Sequence, residues 1–91
     1  NSITEILNEI GNELDNQISS ANDTDKNIDS RKLAQQSNTL KDAITASELS
    51  DEDKLMLQKF SLTLIQDDAT VKSLRYEKQD LERVLSNIVN L

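Results

Sequence analysis

The stretch SDEDKLMLQKFSLTLIQDDATVKSLRYEKQDLERVLSNIVNL, Ser50–Leu91, decides the fold, and it contains no Gly and no Pro. Leu57, Phe60, Leu64, Val71, Leu74, Leu81, Leu85 and Ile88 recur in alternating steps of three and four, once Asp67 and Lys78 are counted on the same stripe. A repeat of this kind is a heptad seam and predicts one coiled-coil helix over 51–90. At 1.5 Å per residue such a helix is a rod of about 60 Å. A lone rod leaves its stripe in water, so the seam predicts a covering partner. Ser50 can cap this helix with Asp53 completing a capping box, and Asp51, Glu52 and Asp53 set negative charge at the positive end of the dipole. At the far end Val84, Leu85, Ile88, Val89 and Leu91 are apolar on more than one face, more than one covering arm can bury. The residues expected to mediate assembly are therefore Leu57, Phe60, Leu64, Val71, Leu74, Leu81, Val84, Leu85, Ile88, Val89 and Leu91.

Upstream, Ile3, Leu7, Ile10 and Leu14 form a second stripe, widened by Ile6 and Ile18, over a helix spanning 2–21. Ser2 and Glu5 fit a capping box at its start. Gly11 lies inside the helix and costs about 1 kcal/mol against Ala. It is either a tolerated surface glycine or a special one, at a close helix approach or a hinge. Residues 22–30 break the pattern, because Asn, Asp, Ser and Thr side chains compete for their own backbone. Their alternating Asp23, Asp25, Asn27 and Asp29 imitate a calcium loop. Ile28 stands where that loop needs Gly, however, and Ala34 where it needs a bidentate Glu. A thinner helix follows over 31–47, with Leu33, Leu40, Ala43 and Ile44 as its apolar edge.

The fold class is all-α, one helical domain over 1–91. Residues 2–47 form an interrupted first arm about as long as the arm over 51–90, and a short turn joins antiparallel neighbours. An antiparallel helical hairpin with a long C-terminal helix is the economical topology, and a three-helix bundle is the alternative. Only 35% of the 91 residues are hydrophobic, which suits narrow seams between helices better than a thick core.

Chemistry is poorly supplied. Histidine and cysteine are absent, which removes the usual near-neutral acid–base group, the thiolate nucleophile and the ordinary zinc ligands. One Gly cannot build a phosphate loop. Glu77 with Asp80, and Asp67 with Asp68, read as solvated helix-face charges rather than catalytic pairs. No enzyme activity, cofactor or metal is expected. Net charge is −7, which opposes nucleic acid and anionic lipid, and no apolar run is long enough for a membrane span. Asp67 and Lys78 lie on the seam either where it drifts to solvent or where a partner compensates them.

Leu55-Met-Leu-Gln-Lys-Phe-Ser61, together with Thr39-Leu-Lys-Asp-Ala-Ile44 and Ser73-Leu-Arg-Tyr76, resembles the C-terminal half of extracellular type III secretion proteins: needle subunits, needle-tip proteins and filament proteins. The resemblance covers residues 39–91. Needle subunits carry a Pro in the turn where this chain has Ser47-Glu-Leu-Ser50, and tip and filament proteins are longer. The resemblance implies a secreted or cell-surface structural subunit that assembles with its own copies or meets a dedicated secretion chaperone. The alternative is a small acidic cytoplasmic adaptor or secretion chaperone that lends its seam to another helical protein.

Overall fold

The computed structural model describes residues 2–20, 31–65 and 70–89. Four helices account for most of them: α1 (Ser2–Ser20), α2 (Arg31–Ala46), α3 (Asp51–Thr63) and α4 (Val71–Val89). The all-α class holds, and α1 and α2 match the expected spans closely. The loop over 22–30, with its calcium-like spacing, lies outside the described residues. α1 is already helical at Ser2, the residue expected to cap it.

The boundary at Ser50 is built as the sequence implies. Ser50 is extended (φ −64°, ψ 159°), and its Oγ accepts the Asp53 N–H at 3.2 Å. Lys54 N–H donates to the Ser50 carbonyl at 2.9 Å, which starts the helical ladder.

The single long helix over 51–90 requires correction. It is two helices, α3 and α4. At the end of α3, Leu64 N–H donates to the Ser61 carbonyl and Ile65 N–H to the Leu62 carbonyl. Bonds three residues apart tighten a last turn and stop it. At Thr70 a new cap begins: Ser73 N–H donates to Thr70 Oγ1 at 3.1 Å, and Thr70 N–H donates to Ser73 Oγ at 2.9 Å. This reciprocal pair satisfies two otherwise orphaned donors, as a capping box does. The chain folds back here because a reversed segment buries its stripe against itself, whereas a rod leaves it to water.

Cross-helix contacts give the directions. Lys78 of α4 reaches Asp15 of α1, and a Cβ on Gly11 would meet Leu81. Ser37 of α2 bonds Ser61 of α3. Thr63 touches Glu77 at one end of the α3–α4 pair, and Met56 touches Asn87 at the other. The α1–α4 and α3–α4 pairs, each fixed at two levels, are therefore antiparallel. The expected antiparallel packing of the first half on the second is present, with α1 on α4 and α2 on α3. Each half also folds on itself, α1 on α2 and α3 on α4, which closes a four-membered ring about 41 × 21 × 18 Å in extent.

The ring encloses one core, in which Leu7, Ile10, Leu40, Ile44, Leu57 and Val84 have no exposed surface. Burying each such side chain fully contributes about 1.5–3 kcal/mol. Small residues set two close approaches. Ser37 and Ser61 are fully buried, and Ser37 Oγ donates to the Ser61 carbonyl at 2.6 Å, which joins α2 to α3. Gly11 is buried, and a Cβ there would stand 3.0 Å from Leu81 Cδ2 and 3.4 Å from Lys78 Nζ. Of its two sequence readings, close helix approach is the one the structure has.

Candidate interaction surface

Eight of the eleven residues expected to mediate assembly are interior. Leu57, Phe60, Leu64, Val71, Leu74, Leu81, Val84 and Ile88 are buried in the chain's own interior, and Leu85 packs half-buried against it. The Val89 side chain and Leu91 are outside the described residues. The seam expected to need a covering partner is covered within the chain, by the first half and by the fold-back of α3 on α4.

The register of α4 also differs by one position. The buried row is Val71, Leu74, Glu77, Leu81, Val84 and Ile88. Lys78 is partly exposed and pairs with Asp15 at 2.9 Å, so the charge expected on the seam belongs to the α1–α4 edge. Asp67 lies outside the described residues. Glu77, expected in solvent, is 5% exposed. Its neighbour Asp80 does face outward enough to hold Arg83 at 2.7 Å.

Glu77 closes the corner where α3 ends. Its Oε2 stands 2.6 Å from Thr63 Oγ1, and that hydroxyl is also 2.6 Å from the Phe60 carbonyl oxygen. One hydroxyl carries one proton and can serve one of these contacts. Thr63 donates either to the Glu77 carboxylate or to the Phe60 carbonyl. Burial raises the Glu77 pKa above the ordinary carboxylate value; the Thr63 hydrogen bond opposes this, and Asp80 adds to it.

The exposed apolar side chains were not singled out from the sequence. Among the described residues the large ones are Leu55 (53% exposed), Leu62 (58%), Ile65 (46%) and Tyr76 (66%). Leu55 and Leu62 are seven residues apart and share the outer face of α3, opposite Leu57, Phe60 and Leu64. Ile65 lies past the helix end, where it and Tyr76 line a cleft with Thr63, Thr70, Lys72, Ser73 and Glu77. The signal was present: α3 has apolar residues at a second heptad position, off the seam. On α1, by contrast, the exposed positions are Glu5, Asn8, Glu9, Asn12, Asp15 and Asn16, with Ser19 and Ser20 beyond them.

Charge is graded along the α3 face. Glu48, Asp51 and Glu52 are exposed at its N-terminal end. Lys59 is exposed at mid-helix, and Lys72 is exposed beside Ile65. Lys41 lies in the groove shared with Leu62 on the α2 side. Exposed carboxylates thus gather at one end of the apolar row, with Arg83 in the same groove as Glu52, and exposed lysines stand at mid-helix and beside Ile65.

Among the described residues no cluster of His, Cys, Asp and Glu could hold a metal ion, and no helix is long and apolar enough to cross a membrane. Comparison with protein-family models, with curated proteins and with solved structures found no match.

Proposed function

We propose that this chain is a non-catalytic helical module that acts by packing the outer face of α3 against a helix of a partner. One observation carries this reading: Leu55 and Leu62 on the outer face of α3, with Ile65 and Tyr76 at the cleft beyond its end, are about half exposed or more in a small acidic chain, and they are the large exposed apolar side chains among the described residues. An exposed apolar row rimmed by charges is the usual form of a helix-docking face. The absence of His and Cys from the sequence leaves little for general acid–base or covalent chemistry, which favours binding over catalysis. The stretch resembling the secretion proteins, Leu55–Ser61, is the middle of this same helix. A secretion-apparatus subunit and a cytoplasmic adaptor or chaperone are thus two settings for one surface. The continuous seam that favoured the first setting gives it no support once that seam is core.

Site-specific photo-crosslinking in the producing cell tests the proposal. A benzophenone side chain is placed at Leu62 and, as a control, at Asn12 on the polar face of α1. A discrete crosslinked product from Leu62 and none from Asn12 is the expected result. No product from Leu62, or the same products from both positions, would refute it.

A further inference from the structure

We infer that the occupant of the α3 face is a second copy of this chain, seated antiparallel across a two-fold axis midway between Leu55 and Leu62. This rests on the reading of α3 as the contact face and names its partner.

The spacing of the face is self-complementary. Glu52 precedes Leu55 by three residues, and Ile65 follows Leu62 by three. A two-fold axis centred between Gln58 and Lys59 therefore lays Leu55 on the other copy's Leu62, and Glu52 on the other copy's Ile65 end. Lys72 lines the same cleft as Ile65. Each Glu52 carboxylate thus comes to a Lys72 ammonium of the second copy, and symmetry makes the contact twice. A parallel pairing would stack Glu48, Asp51 and Glu52 on their own copies, like charge on like charge. Lys59 meets its own copy near the axis. It shares a groove with Glu52, Asp80 and Arg83, so carboxylates as well as cations line its surroundings. An isologous contact of this kind closes at two copies, unlike an open-ended filament. The face is one short helix and its edges, so the contact is smaller than a standard interface of about 1,200–2,000 Å² and should dissociate on dilution.

Sedimentation of the purified full chain tests this, from about 10 µM to about 1 mM, where small interfaces come apart. The wild type should pass from monomer to dimer and grow no further. Leu62→Glu should stay monomeric with unchanged circular dichroism, since the side chain is 58% exposed and not part of the core. Leu62→Ser is a milder second variant that should also shift toward monomer. Glu52→Lys and Lys72→Glu should each weaken the dimer about two- to thirtyfold, because two exposed pairs break per dimer, and the double reversal should recover most of the loss. A wild type monomeric throughout, growth beyond the dimer, or a double reversal no better than the single ones would overturn the inference. A crosslink from Leu62 to a different protein, with the purified chain monomeric, would overturn it while leaving the module reading intact.

Discussion

Alanine at Val84 and at Leu85, compared side by side, tests the register of α4. Val84 has no exposed surface, whereas Leu85 is only partly buried against the core. Val84→Ala removes two methyl groups, worth about 1.6 kcal/mol of transfer free energy, and leaves a cavity that adds about 1 kcal/mol. The better helix propensity of Ala returns about 0.5 kcal/mol. The net loss is about 2 kcal/mol. Leu85→Ala removes three carbons that are already half in water and leaves no closed cavity, so its loss is about 1 kcal/mol. A domain of this size loses about 4–8 °C in Tm per kcal/mol. Thermal melts followed by circular dichroism should therefore fall by about 8–16 °C for Val84→Ala and by about half that for Leu85→Ala. The register inferred from the sequence, with Leu85 on the seam and Val84 beside it, predicts the opposite order. Leu85→Ala melting clearly below Val84→Ala would refute the packing described here.

Glu77→Gln should raise Tm at neutral pH, because an amide oxygen can accept the Thr63 hydroxyl without a buried charge. The folded chain holds the Glu77 proton more tightly than the unfolded chain, so this group's stability is full at low pH and falls as pH rises through the raised pKa. The advantage of Glu77→Gln should therefore shrink toward acid; melts in which it grows toward acid would contradict the burial argument. Gly11→Val should cost about 1–3 kcal/mol in urea unfolding, since its branches would press on Leu81 and Lys78, and an unchanged midpoint would remove the close approach. Ser50→Ala and Thr70→Ala should each cost about 0.5–2 kcal/mol by removing a cap, and a neutral Thr70→Ala would show that the second cap does not hold the start of α4.

Much of the fold was legible because heptad spacing is a local property. Ile3, Leu7, Ile10 and Leu14 marked α1, and Ser50 with its acidic triplet marked the start of α3. The reversal between α3 and α4 was hidden by phase. Leu64 and Val71 are seven residues apart, one full heptad, so the stripe continues in step across a break in the helix. No Gly or Pro marks the place, and the cap that begins α4 is the modest Thr70-Val-Lys-Ser73. Within α4, Val84 and Leu85 are both apolar, so spacing could not choose between them, and the wrong choice put Lys78 on the seam and Glu77 in water. The exposed apolar side chains of α3 are hidden for a related reason: the seam through Leu57, Phe60 and Leu64 leaves Leu55 and Leu62 off it, so heptad spacing along that seam gives them no role.

The fold-back of residues 51–89 decides both the core and the face left over for a partner, and one distance measures it. The chain has no native cysteine, so spin labels can be attached to cysteines substituted for Glu52 and Asn87. The labelled chain is diluted with unlabelled chain so that only distances within one molecule are read. In the folded-back structure Asn87 Nδ2 lies 3.4 Å from Met56 Sδ, one turn from Glu52. With neighbouring helix axes about 8–10 Å apart, the labels should fall within about 25 Å of each other. A continuous helix would separate the same positions by about 52 Å, and a distribution centred there would contradict the account.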